Sequence, residues 1–175
     1  MSVYVVTVIS ENWLIESDEY GNIVIDSEVI NTLISYRQLG KHDCEAGGAL
    51  MGCLRGNNEI EVNDLTLPQP SDKRTRYSFF RSNAHNKILN GKWNASNGEV
   101  YLVGLWHTHP EPTPEYSNED KKDWHKVLKQ GQYEGQSLIF IIVGHKDIRL
   151  WISNNKNYKI TLLGEYSLKN SVHKG

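Results

Sequence analysis

The chain has 175 residues, of which 38% are hydrophobic, 23% charged and 10% aromatic. This composition is typical of a globular domain and excludes a collagen, a coiled coil and an intrinsically disordered chain. The 19 Lys and Arg residues nearly balance the 21 Asp and Glu residues, so the net charge of −2 provides no overall attraction to nucleic acid. The longest apolar run spans only residues 138–143, whereas a membrane helix needs about 20. We expect one domain over residues 1–175, with neither nucleic acid nor a membrane as its partner.

The two cysteines and the N-terminal segment indicate in which cellular compartment the protein is expected. Cys44 and Cys53 form neither a disulfide framework nor a Cys-x-x-Cys metal motif. The apolar N-terminal segment has no Lys or Arg before it, so we interpret it as a strand and not as a signal peptide. Reduced thiols favour a cytoplasmic protein, in which we expect both cysteines to be buried and inert.

Hydrophobic alternation and turn residues predict the elements of the N-terminal half. Extra strands are expected before residue 25, at 3–9, 12–16 and 22–25, the last two joined around Glu19-Tyr20-Gly21. Ser27 is predicted to cap a helix over residues 28–39, and strands over 47–54 and 59–67 follow it. Residues 68–82 are predicted to form a basic loop that ends in a short strand at 77–80. The basic residues of this loop are Lys73, Arg74, Arg76 and Arg81.

The C-terminal half alternates between helical and strand patterns. Helices are predicted over residues 83–93 and 117–130, and strands over 100–107, 138–143, 148–153 and 158–163. Between 107 and 117, three prolines predict a stiff loop that is not helical. The whole pattern predicts a single α+β domain with a central sheet and about three helices.

One segment carries residues suited to metal chemistry. His107 and His109 stand two apart at the end of a predicted strand, so their imidazoles project from one face while Thr108 points to the other. Asp120 lies in the first turn of the next helix, to which the proline-rich loop returns the chain. Two nitrogens and one carboxylate oxygen leave a fourth position for water, which is the arrangement of catalytic zinc. We therefore predict one Zn²⁺ per chain, held by His107, His109 and Asp120.

Hydrolysis by such a site needs a base beside the metal to accept a proton from water. Glu45, directly before a predicted strand, is a candidate, but spacing alone leaves Glu111, Glu115 and Glu119 open as alternatives. Ser117 has two compatible roles: it is placed to cap the helix that contains Asp120, and its hydroxyl could donate to the oxyanion formed in hydrolysis.

These residues resemble the signature of the JAMM (JAB/MPN) zinc metalloprotease family, which is an upstream Glu, then His-x-His-Pro, six residues, and Ser-x-x-Asp. The sequence gives Glu45, His107-Thr108-His109-Pro110, Ser117 and Asp120 with the same spacing. The resemblance implies that His107, His109 and Asp120 bind zinc, that Glu45 is the general acid/base, and that Ser117 helps to hold the tetrahedral intermediate. It also implies a curved mixed β-sheet flanked by helices, in a three-layer α/β/α-like arrangement.

A closer resemblance extends over roughly residues 25–130. It is carried by Tyr36-Arg37-Gln38, Glu45-Ala46-Gly47-Gly48 and Trp106-His107-Thr108-His109-Pro110-Glu111. These segments are similar to the bacterial deconjugating isopeptidases of type II CBASS anti-phage operons. The resemblance implies cleavage between a target lysine and the C-terminus of a protein attached by ubiquitin-like conjugation, which in CBASS is the cGAS-like nucleotidyltransferase.

Other functions remain open from the sequence. Within the same family, a peptidase could process the C-terminal tail of a sulfur-carrier or bacterial ubiquitin-like protein, and some MPN domains are non-catalytic binding modules. A Cys–His protease based on Cys44 would leave His109 and Asp120 without a role. The basic loop over 68–82 is either a solvated surface or a grip on an acidic partner or an extended tail.

Overall fold

The structure, a computed structural model, describes residues 8–56 and 58–168. The strands in these ranges are β1 Trp13–Ile15, β2 Ile23–Ile25, β3 Gly47–Arg55, β4 Glu59–Leu65, β5 Lys73–Thr75, β6 Ser78–Phe80, β7 Tyr101–Thr108, β8 Ser137–Val143, β9 Asp147–Asn154 and β10 Thr161–Ser167. The helices are α1 Ser27–Ser35, α2 Ala84–Ala95 and α3 Asn118–Gln130.

Eight strands form one mixed sheet in the order β1-β2-β4-β3-β7-β8-β9-β10. The pairs β2–β4 and β7–β8 are parallel and the others are antiparallel. The sheet curves until its two edge strands meet, where the rings of Trp13 in β1 and Tyr166 in β10 lie 5.3 Å apart. This architecture confirms the predicted α+β class and curved mixed sheet, including the hairpin before residue 25.

Each face of the sheet carries its own apolar core. On one face, Val29, Ile30 and Leu33 of α1 pack among the buried residues of the central strands, with Trp106 of β7. On the other face, Trp124 and Leu128 of α3 pack against strand residues that include Phe140 and Trp151. The Trp124 and Phe140 rings stack at 4.5 Å. Helices on both faces give the three-layer arrangement, and β7 lies at its centre.

The segment between β4 and α2 is more ordered than predicted. The basic loop contains a second strand, β5, which pairs with β6 in a separate two-stranded sheet. Our prediction of a loop before residue 77 was therefore wrong over β5. Charged residues dominate Lys73–Thr75, so hydrophobic alternation gave no strand signal there.

Helix α1 differs from the prediction at both ends. Asp26 occupies the N-cap position and Ser27 is the first helical residue, so Ser27 is not the cap. The helix ends at Ser35, well before the predicted end at residue 39. The chain leaves the helix because Gln38 is buried, with its side-chain amide donating to the carbonyls of Asp43 and Arg76. A continuing helix would not place that amide between these two segments.

Three further predictions need correction or lie outside the described ranges. The strand predicted over 158–163 begins later, at Thr161, because Tyr158 adopts φ 57° in the preceding turn. Of the strand predicted over 3–9, only residues 8 and 9 are described, and they form no strand. Cys44 is exposed and Cys53 half-buried, so the expectation of buried thiols was wrong. In the described part of the chain, the helices are too short or too polar to cross a membrane.

Candidate metal centre

The pairing of β3 with β7 brings distant parts of the sequence to one point. The two strands are antiparallel, with Gly47 opposite His107. The same register continues before the start of β3, where the Thr108 N–H of β7 donates to the Ala46 carbonyl at 2.9 Å. Glu45 therefore comes to lie opposite His109. Gly47 is needed at this crossing because a Cβ there would lie 2.7 Å from the Trp106 carbonyl oxygen.

Three potential ligand side chains converge beside this crossing. The Nε2 atoms of His107 and His109 lie 3.0 Å apart. Asp120 from α3 completes the group, with Oδ1 3.1 Å from His107 Nε2 and Oδ2 3.2 Å from His109 Nε2. The structure thus brings together the three residues that the sequence predicted as ligands.

The spacing of these atoms fits a small divalent cation. A tetrahedron has edges about 1.6 times its centre-to-corner length, so zinc–ligand bonds of about 2.0–2.1 Å place neighbouring ligand atoms about 3.3 Å apart. The two Nε2 atoms lie 3.0 Å apart, and each lies 3.1 or 3.2 Å from a different oxygen of the Asp120 carboxylate, which is close to this value. The donor set, two imidazoles and a carboxylate, is one that zinc commonly takes.

The electrostatics of the cluster also favour a positive charge. Burial would raise the pKa of Asp120, but the nearby His107 and hydrogen bonds from both histidines hold it well below its ordinary value. Burial would lower the pKa of His109, but hydrogen bonds to Asp120 and Glu111 outweigh that effect and raise it to about 9. The cluster therefore keeps an ionised carboxylate that stabilises a cation between the rings.

The cap of α3 aims Asp120 at the histidines. Ser117 is the N-cap, as predicted: its Oγ accepts the Asp120 N–H at 3.1 Å, and Asp120 Oδ2 accepts the Ser117 N–H at 2.7 Å. This reciprocal capping box restrains the Asp120 side chain in the orientation that faces the histidines. Because the Ser117 hydroxyl oxygen acts as the acceptor, its proton is left to be donated elsewhere.

Glu45 lies next to the ligand atoms but farther from them than Asp120 does. Its Oε1 is 3.8 Å from His109 Nε2, and the ligand atoms of Glu45, His107 and His109 all lie within 4.8 Å of one another. This buried group could bind a metal, but the shorter distances favour Asp120 as the third ligand. Burial raises the pKa of Glu45 to about 8, an effect that the charge of His109 partly opposes.

The other acidic candidates for the base have other partners or are exposed. Glu111 contacts Nδ1 of His109, the nitrogen on the opposite side of the ring from the ligand cluster, at 2.9 Å. The Glu115 carboxylate pairs with Arg149. Glu119 is exposed. Among the four carboxylates left open by the sequence, Glu45 is the one beside the Nε2 atoms.

Two sets of hydrogen bonds that hold the backbone around Glu45 were not predicted from the sequence. Thr108 Oγ1, on the opposite face of β7 as predicted, accepts the Ala46 N–H and donates to Oε1 of the buried Gln38 at 2.8 Å. The hairpin of β5 and β6 holds the backbone of Glu45 itself. Its N–H donates to the Thr75 carbonyl, and its carbonyl accepts from Arg74 Nε, both at 2.7 Å. Both sets join residues far apart in sequence, so local patterns carry no signal for them.

Beside the candidate ligand residues, a cleft of about 1430 Å³ opens between α2 and α3. His107 and Asp120 form part of its wall, together with apolar residues such as Leu102 and Leu105. Arg81, from the basic loop, makes a bidentate pair with Asp123 of α3 at the same cleft. Arg74 and Arg76 also donate to carbonyls within the chain, so much of the charge of this loop serves internal contacts.

Comparison with known proteins identifies the class to which this fold and site belong. The family described as prokaryotic homologs of the JAB domain matches residues 27–154. This range includes every residue of the cluster, and the chain belongs to that family.

Individual relatives match most of the chain. A protein from Escherichia coli (strain TW11681) is 37% identical over 81% of this chain and 87% of its own length. A protein from Vibrio cholerae serotype O1 is 33% identical over 80% of this chain and 86% of its own length. A protein from Pseudomonas aeruginosa is 35% identical over 65% of this chain and 72% of its own length. All three are named CD-NTase/cGAS isopeptidase.

A solved structure supports the fold independently. The solution structure of a protein from Desulfitobacterium hafniense aligns with a TM-score of 0.54, over 87% of this chain and 99% of that one. Its sequence is 18% identical, so the likeness concerns the fold alone.

Proposed function

We propose that the protein is a zinc-dependent isopeptidase that releases a ubiquitin-like-conjugated protein, a CBASS cGAS-like nucleotidyltransferase, from a target lysine. The observation that carries the proposal is the convergence of His107 Nε2, His109 Nε2 and the Asp120 carboxylate at 3.0–3.2 Å, beside a buried Glu45. The names of the relatives support the choice of substrate. An intact cluster also argues against a non-catalytic binding module.

Each polar group of the site has one task in this reaction. His107, His109 and Asp120 would hold the zinc ion. When bound there, a divalent cation polarises a carbonyl group and lowers the pKa of water to about 7. Glu45 accepts a proton from the attacking water and passes it to the lysine nitrogen as the C–N bond breaks, which yields a carboxylic acid and an amine; the acid then gives its proton to the more basic amine, so the products are a carboxylate and a lysine ammonium. The Ser117 hydroxyl donates to the oxygen on which negative charge develops.

The backbone contacts around Glu45 matter for this proton transfer. A general base must stay within hydrogen-bonding reach of the water that it deprotonates. The Thr75 carbonyl and Arg74 Nε fix the Glu45 backbone from one side, and the Ala46 contact with Thr108 fixes it from the other. The cleft between α2 and α3 gives an extended peptide segment a route to His107 and Asp120.

The proposal is tested with two substrates that share one sequence. In the first, the C-terminal carboxyl of a cGAS-like nucleotidyltransferase is joined to a lysine ε-amine; in the second, it continues as a linear peptide. We expect the wild-type protein to cleave the lysine-linked conjugate, a chelator to stop cleavage, and added zinc to restore it. His107→Ala should be inactive under all these conditions.

Three outcomes would contradict the proposal. Cleavage that continues in the presence of the chelator, or in His107→Ala, would show that the reaction does not depend on a metal. Cleavage of the linear fusion without cleavage of the conjugate would favour the tail peptidase. Tight binding of the conjugate without cleavage, by protein loaded with zinc, would indicate a binding module.

A further inference from the structure

The second nitrogen of His109 has its own acidic partner. Glu111 Oε1 lies 2.9 Å from His109 Nδ1, while Nε2 of the same ring faces His107 and Asp120. Glu111 is only two residues from His109, yet it reaches the ring from the side that faces away from the cluster. The sequence singled it out only as one of several possible bases.

This contact decides which nitrogen can bind a metal. A neutral imidazole carries one proton, and the nitrogen without it offers the lone pair. The Glu111 carboxylate can only accept, so it holds the proton on Nδ1 and leaves Nε2 free as a ligand atom. It also stops rotation of the ring about the Cβ–Cγ bond and raises the basicity of Nε2.

Glu111 is itself held by hydrogen bonds to its side chain and to its backbone. The same Oε1 accepts the backbone N–H of Glu115 at 3.0 Å, and the Glu111 carbonyl accepts the His145 N–H at 2.8 Å. The turn between β8 and β9 packs directly beneath it. A Cβ on Gly144 in this turn would lie 2.8 Å from the Glu111 carbonyl oxygen and 2.6 Å from that of Pro112, so the close packing depends on glycine.

We infer that Glu111 is a positioning residue for the metal centre, which sets the tautomer and orientation of His109 and thereby strengthens cation binding. The inference rests on the proposed metal-dependent function. Glu111 does not touch the reacting atoms, so its effect appears first in metal affinity and only through that in turnover.

The test measures the dissociation constant of Zn²⁺ by competition with a chromophoric chelator, for the wild type and three variants. We expect Glu111→Ala to bind zinc about 10–100-fold more weakly. Glu111→Gln keeps a neutral hydrogen-bond acceptor, so its zinc affinity should lie between those of the wild type and Glu111→Ala. Glu115→Ala is the matched control: it removes a carboxylate from the same loop that pairs with Arg149 and not with His109, so it should bind zinc as the wild type does.

The outcomes separate this inference from the proposed function. Equal zinc affinity in the wild type and either Glu111 variant, with saturable binding, would overturn the positioning role and leave the metal centre intact. An equal loss in Glu115→Ala would also overturn it, because the effect would then belong to the charge of the loop. A wild-type protein that binds no zinc would contradict the proposed function itself. If Glu111→Ala does not fold, Glu111→Gln decides the question alone.

Discussion

Asp120 shows how local structural rules can bring a residue of one helix to the histidines of a strand. Its carboxylate completes a capping box with Ser117 and at the same time faces two imidazoles. Both relations follow from short-range rules, the alternation of a strand and the capping of a helix, so the sequence predicted His107, His109 and Asp120 as one group. The place of Glu45 depends on the register of β3 against β7, which no local rule specifies. The family resemblance supplied that residue.

The two possible roles of Ser117 can be separated by substitution. Ser117→Ala should lower the free energy of unfolding by about 1 kcal/mol, because alanine cannot cap, whereas Ser117→Gly should cost only about a few tenths. If the hydroxyl donates to the oxyanion, both variants should lose turnover by about 10²–10³-fold. Urea denaturation and conjugate cleavage, measured on both variants, check this. A Ser117→Gly enzyme with wild-type turnover would limit Ser117 to its capping role.

Glu45→Gln tests the proton transfer without removing a proposed ligand. Glutamine has nearly the same shape but cannot accept a proton from water at neutral pH, so turnover should fall by about 10²–10⁴-fold while zinc content stays unchanged. Glu119→Gln serves as the control, because Glu119 is an exposed carboxylate that directly precedes Asp120 in the sequence. Metal content and the cleavage rate are measured on the same samples. Undiminished cleavage by Glu45→Gln would exclude Glu45 as the base.

At the scale of elements, the segment from β4 to α2 is the part that the sequence predicted least well. This segment is held in place by a network of buried hydrogen bonds that joins residues distant in sequence. Asp72 accepts from His85 Nε2 at 2.8 Å, and His85 Nδ1 is 2.6 Å from Thr66 Oγ1, which in turn accepts the Ala49 N–H. Such a network leaves no periodic pattern in the sequence, and for this reason hydrophobic alternation predicted only a loop. It ties the hairpin that holds Glu45 to the central sheet.

Replacing Asp72 with Asn should therefore destabilise the fold in a pH-dependent way. Burial would raise the pKa of Asp72, but hydrogen bonds from the backbone of Gln69 and Ser82 and from His85 outweigh it and lower the pKa. A carboxyl whose folded-state pKa is depressed stabilises the protein above its unfolded pKa of about 3.9, and that contribution disappears as pH falls through the folded value. We expect Asp72→Asn to lose about 1–3 kcal/mol at pH 7.

Urea denaturation at pH 7, 4 and 3 checks this expectation. The difference in stability between wild type and Asp72→Asn should shrink as the pH drops below about 4. Asp18→Asn, which changes an exposed carboxyl, is the control and should show a much smaller difference at pH 7. A constant difference for Asp72→Asn across all three pH values would contradict the ionic role of Asp72.

At the scale of the whole molecule, the curved sheet places one strand, β7, between two apolar cores. Alternation along β7 sends Trp106 into the core shared with α1 and His107 towards α3, where its ring lies 6.4 Å from that of Trp124. Composition and alternation were sufficient to predict the α+β class. The strand order was not predictable from them, because pairing is decided by contacts between distant segments. The candidate metal site lies where β3, β7 and α3 meet, so its geometry depends on the assembly of the whole fold.

Metal content measured by elemental analysis tests the account most directly. Protein purified without chelator and then dialysed against metal-free buffer should contain about one zinc per chain. His107→Ala, treated in the same way, should contain close to none. Wild-type protein that holds no zinc or other divalent metal, even after incubation with excess zinc salt and removal of the unbound ion, would contradict the account.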